Sequence, residues 1–166
     1  EIVPLPEKYQ QYSKYYWKFH GLYYGITRLT AEEYYNGTSN ELYYAVCCGS
    51  KILTEEIYAW IEFGERYIIA GNGNFAHILD YDGTILAEYT DAAGTFEGGR
   101  MLVYDGRGVY CIDEELEQCS DYIITGTNIF YCKPRTVITG TSCYVFEWLS
   151  EQDNTENQIN SGDGSK

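Results

Sequence analysis

The sequence predicts an all-β protein made of tandem three-stranded antiparallel meander units of about 33 residues, set out as an open array or a propeller-like ring. Three observations carry that reading. The composition is rich in Tyr (19) and Gly (17) and poor in Pro (3) and Met (1); aromatic rings suit a pleated surface, and Gly supplies the positive φ of tight turns. The middle of the chain aligns with itself at a fixed spacing, and turn residues recur between short apolar runs. The 166 residues amount to one domain's worth of core.

Taken in order, EIVPLPEKY is irregular because Pro4 and Pro6 restrict the residues before them, and the aromatic stretch after it is expected to pack on the first sheet. Residues 1–18 are therefore read as an N-terminal extension, 19–149 as the β-repeat domain and 150–166 as a disordered acidic tail, whose single apolar residue, Ile159, cannot offset the entropy of ordering it. A capping pattern over Thr30 to Glu33 predicts one helical turn before the Asn36 to Asn40 turn cluster. Tyr67–Ala70 and Phe75–Leu79 flank the turn Gly71 to Asn74, and Met101–Tyr104 and Val109–Ile112 flank Asp105 to Gly108. Asp80 to Gly83 turns into Thr84–Tyr89; strands are also expected at Tyr122–Ile124 and Cys143–Trp148.

Internal similarity ties these elements together. Ile52, Leu53, Glu55 and Phe63 fall on Ile85, Leu86, Glu88 and Phe96, each 33 residues on. One inserted glycine then shifts the spacing to 34, placing Phe75 on Val109 and Ile78 on Ile112 as equivalent core residues. A shortened third copy begins near Cys119 and Tyr122. Each unit has one apolar face that neighbouring units must cover.

The stretch Gly73 to Ile78, followed by Asp80, Gly83, Ile85, Leu86, Tyr89, Phe96 and Gly98, resembles the WG (KWG) repeats of bacterial proteins. Gly106, Arg107, Val109, Tyr110, Ile112 and Asp113 look like the next unit, although the signature Trp-Gly pair is missing from every copy. The resemblance covers roughly Leu42 to Phe146. It implies a tandem β-meander array on a secreted or surface-attached bacterial protein, acting as a non-enzymatic binding or spacer module.

Charge and motifs narrow the function. With 11 Lys and Arg against 25 Asp and Glu, the net charge of -14 excludes a nucleic-acid partner, and no run of about 18 apolar residues spans a bilayer. The chain starts at Glu1, either after a removed leader or as an excised piece, and an extracellular or cell-surface location is expected with a cytoplasmic one left open. Six cysteines form no C-x-x-C pair, so neither a disulfide framework nor a zinc site can be read; no cofactor, metal or catalytic residue is expected. Asp80 and Asp82 begin like a calcium loop whose other ligands are missing, which leaves a plain turn. His77 and Cys111 are placed at equivalent core positions, with Cys132 near the same place. Glu55–Glu56 and Glu114–Glu115 read as solvated edge charges, since neighbours on a strand face opposite ways.

The candidate ligand-binding residues are Tyr16, Trp17, Tyr23, Tyr24, Tyr43 and Tyr44, because an aromatic doublet on a strand puts one ring on each face and exposes one of them to a protein or glycan ligand. Carbohydrate binding through that face is the alternative function. A glycoside hydrolase is a further one, and it requires a concave pocket holding a carboxyl group of raised pKa.

Overall fold

A computed structural model describes residues 2–10, 16–28, 31–37, 42–126 and 129–147, with only the backbone described at 16–18, 31, 32, 34 and 129–131. Among the described residues the chain is all-β apart from one 3-10 turn at Glu7–Tyr9 and one six-residue helix, α1 (Ala31–Asn36). Its strands form four small antiparallel sheets, each a meander in chain order. The first holds β1 (Tyr16–His20), β2 (Tyr23–Ile26), β3 (Ala45–Cys48) and β4 (Lys51–Ile52). The second holds β5 (Trp60–Phe63), β6 (Ile68–Gly71), β7 (Ala76–Leu79) and β8 (Ile85–Tyr89). The third holds β9 (Asp91–Ala92), β10 (Arg100–Tyr104), β11 (Gly108–Asp113) and β12 (Ile124–Thr125), and the fourth β13 (Ile129–Lys133), β14 (Thr136–Thr139) and β15 (Cys143–Val145).

Three of these sheets therefore carry four strands where three were expected. In the second sheet the extra strand is β5, joined to β6 by the turn in which Gly64 N–H donates to Tyr67 O at 2.9 Å. Charged Glu65 and Arg66 at that turn separate the two strands. The expected boundary between residues 18 and 19 falls inside β1, and residues 150–166 lie outside the described part.

The central hairpins share their turn geometry. Asn72 N–H donates to Phe75 O at 3.1 Å and Asp105 N–H to Gly108 O at 3.4 Å. In both turns the side-chain oxygen of the first residue accepts the amide of the third, from Asn74 at 3.0 Å and from Arg107 at 2.9 Å. The second residue is a glycine with φ +89° in each, Gly73 and Gly106. The next turn matches too: Asp80 N–H to Thr84 O and Asp113 N–H to Glu117 O, with Gly83 (φ +94°) answered by Leu116 (φ +66°).

Every one of these correspondences runs at a spacing of 33, so the expected shift to 34 is absent. Gly98 and Gly99 are not an insertion. They occupy the places of Glu65 and Arg66 in a turn of equal length, where Glu97 N–H donates to Arg100 O at 2.8 Å. Phe75 consequently matches Gly108 rather than Val109, and His77 matches Tyr110 rather than Cys111.

Successive sheets share cores. Val46 of the first sheet packs with Tyr58, Ile61, Ile68, Ala70 and Leu79, while Ile69, Ala76 and Ile78 join Met101, Leu102, Val103, Val109, Cys132 and Val137 in a core shared by the other three. The first strands of neighbouring sheets touch, β1 against β5 and β9 against β13. Among the described residues the sheets close into neither a barrel nor a propeller. Leu5 and Tyr9 lie on the far side of the first sheet, against Tyr24, Ile26, Ala45 and Cys47. Tyr9 donates to the Glu56 carboxylate, which also pairs with Arg28 Nε at 2.6 Å and Lys8 Nζ at 3.3 Å. Glu56 is thus a pin for the N-terminal segment and not the solvated edge charge expected.

Candidate functional site

The aromatic doublets obey strand alternation with an unexpected result. In β2, Tyr24 is buried in the core beneath the N-terminal segment and donates its hydroxyl to Gly49 O. Tyr23 points the other way, yet that face is covered as well: its ring meets Tyr81 of the second sheet edge-on at 4.6 Å. A strand packed on both faces sends one ring into each of two cores. Tyr43 and Tyr44 are half-buried, and the Tyr44 backbone is bridged to Tyr58 by hydrogen bonds of 2.8 and 3.3 Å. The Tyr16 and Trp17 side chains lie outside the described part. Among the four whose side chains are described, no single exposed face is formed.

A cleft of about 440 Å³ opens instead along the seam of the second, third and fourth sheets. Trp60 and Glu62 line it from one face of β5, as alternation requires, while Ile61 and Phe63 turn to the first sheet. The Trp60 indole is half-buried and closely backed by glycine: a Cβ on Gly71 would lie 2.7 Å from its Cζ2. Gly94, at φ +83°, leaves a Cβ site 3.7 Å from Cζ3. A side chain at Gly71 would push the ring from this place.

Asp91 joins Glu62 as an acidic group of the cleft. Its Oδ2 accepts the Cys132 amide at 2.9 Å, linking β9 to β13 across the seam. Burial raises the Asp91 carboxyl above the ordinary aspartate range, against the opposing pull of the Cys132 and Ala92 amides and the Lys133 charge. The Cys132 thiol beside it is pushed up to about 12, by burial first and then by Asp91. Asn72 is fixed at the rim, donating Nδ2 to Ile57 O at 3.1 Å. Tyr104 and Lys133 complete the lining. An indole with hydrogen-bonding groups around it can hold a ligand that has one apolar face and a ring of polar atoms.

The other residues singled out in the sequence lie apart from this cleft. His77 is buried, with Nδ1 2.8 Å from the Tyr58 hydroxyl, Nε2 2.9 Å from Glu88 Oε2, and Phe75 stacked on its ring at 4.4 Å. Cys111 packs into the other core. Asp82 accepts the Thr84 amide at 2.8 Å, as a turn aspartate does. All six cysteines are free thiols, and among the described residues no three His, Cys, Asp or Glu side chains group to hold a metal ion. No helix among those residues is long and apolar enough to cross a membrane.

Sequence reasoning missed Trp60, Asp91 and Lys133, which are far apart in the chain and meet only through sheet packing. One available signal was Gly71, a glycine where nothing larger fits against the neighbouring Trp60 and Phe75. Compared with known proteins, the chain matches no family model and no curated sequence.

Proposed function

We propose that the chain is a non-enzymatic binding module of tandem meander units, WG-repeat-like in character, which takes a saccharide-sized ligand in the Trp60 cleft. The observation that carries this is the indole, backed by Gly71 and bordered by Asp91, Asn72 and Lys133. Sugar rings present C–H faces that stack on such a surface, with hydroxyls at the edge for carboxylate, amide and ammonium partners. The repeat reading is supported by the matching turns at 33-residue spacing. An extracellular or cell-surface place, on a bacterial protein, belongs to the same proposal and rests on the WG resemblance. The binding site moves with it, from the Tyr16 to Tyr44 face to the seam.

One observation favours a second reading. Asp91 is a carboxyl of raised proton affinity inside a cleft that Glu62 also lines, and a raised proton affinity is what the general acid of a glycoside hydrolase needs. The hydrogen bond to Cys132 assigns Asp91 a structural task in addition. A glycan array probed with the wild type and Trp60→Ala, followed by incubation of each hit and analysis of reducing ends, decides between them. Binding lost in Trp60→Ala with the melting temperature retained, and no hit cleaved, supports the module. Cleavage abolished by Asp91→Asn would replace it with the hydrolase, and no binding by the wild type would overturn both.

A further inference from the structure

A second concavity, of about 370 Å³, lies where the first three sheets meet. It sits at the Phe63 end of β5, whereas the Trp60 cleft sits at the opposite end of that strand. Its walls are aromatic. Phe63 is stacked with His20 at 6.5 Å and 17°, and Tyr67 is tilted against Phe96 at 5.9 Å and 43°. Glu65 and Glu114 line the same groove.

One cation already uses this surface. The Arg66 guanidinium carbon stands 5.2 Å from the centre of the Tyr67 ring, and its Nη1 lies 3.1 Å from Glu115 Oε1. The Arg66 and Glu115 side chains are 55% and 69% exposed. An ion pair that open to solvent contributes little, so Arg66 is held loosely and another cation can displace it.

We propose that this groove is a binding site for a guanidinium or alkylammonium cation, with Arg66 as its resident occupant. Ring faces carry negative electrostatic potential, and two carboxylate residues line the walls. The net charge of -14 raises the local concentration of cations around the whole chain, and the rings select among them. The site stands independently of the Trp60 cleft.

The test is titration calorimetry at low salt with three probes: Ac-Gly-Arg-Gly-amide, the same peptide with citrulline in place of arginine, and agmatine. The arginine peptide should bind and the neutral citrulline peptide should not. Arg66→Ala, which vacates the Tyr67 ring, should tighten binding about threefold, and Phe96→Leu, which keeps an apolar side chain and removes the π face, should weaken it about threefold. Agmatine as tight as the peptide assigns the site to small organic cations; a tighter peptide assigns it to a protein side chain. Equal binding of the citrulline peptide, weaker binding by Arg66→Ala, unchanged binding by Phe96→Leu, or no binding of any probe would overturn the proposal. Circular dichroism on both variants confirms that each reading comes from folded protein.

Discussion

Gly71→Ala puts the packing of the Trp60 cleft to the test. The Ala Cβ would lie 2.5 Å from Phe75 O and 2.7 Å from Trp60 Cζ2. Even close C–H···O contacts hold carbon and oxygen roughly 3.3 Å apart, so either the β6–β7 turn opens or the indole moves. Overpacking of this kind costs about 2 kcal/mol, which in a chain of this size lowers the melting temperature by about 4–8 °C. Gly73→Ala is the control. Gly73 has φ +89° but open space around its Cβ position, and a lone left-handed alanine costs only about 1 kcal/mol. Backbone conformation alone would rank these two variants the other way. The assay is thermal melting, with Trp60 emission read in a Trp17→Phe, Trp148→Phe background. If Gly73→Ala is the more harmful change, or if Gly71→Ala leaves Trp60 emission unmoved, the indole does not rest on this glycine.

Two further outcomes are expected. The folded-state pKa of Asp91 is raised, so its contribution to stability is fully present below the unfolded aspartate range and is lost as pH rises through the folded value. Asp91→Asn should therefore gain on the wild type between pH 4 and pH 7, seen as a growing difference in melting temperature; a constant difference would mean that Asp91 is not buried as described. Burial pushes the Cys47 and Cys132 thiols up to about 12, whereas Cys119 and Cys143 are exposed, so the last two should react with a thiol reagent well before the first two in folded protein.

How far the sequence was legible depends on whether the physics is local. Turn residues act through their own backbones, so the hairpins around Asn72–Phe75 and Asp105–Gly108 could be placed from Gly, Asn and Asp alone. The register between successive sheets could not. Gly98 and Gly99 look like an insertion in one dimension, and only the hydrogen bond of the Glu97–Arg100 turn shows that they replace Glu65 and Arg66. Leu116 adds to the difficulty, because it stands at φ +66° where Gly83 serves in the preceding sheet, and it is the one non-glycine with positive φ among the described residues. Packing against the shared core is what holds it there. A residue kept in place by tertiary contacts leaves no turn signature to read.

The same distinction decides where concave surface forms. Reasoning from one sheet with one wet face leads to the Tyr doublets, since alternation must expose half of them. Where a sheet is covered on both faces, as the first is by the N-terminal segment and the second sheet, alternation sends the two rings of a doublet against different cores, Tyr23 half-buried and Tyr24 buried. Two concave places lie at the ends of the seams, where the side chains of three sheets converge. Both cavities occur there, one at each end of β5. Their lining comes from residues as distant as Trp60 and Lys133, or His20 and Glu114, so their shape depends on how sheets are spaced rather than on any one strand. Gly94 belongs to that spacing, its Cβ position lying 3.4 Å from Glu62 Cγ and 3.7 Å from Trp60 Cζ3 across the seam, whereas Gly71 fits the indole within its own sheet.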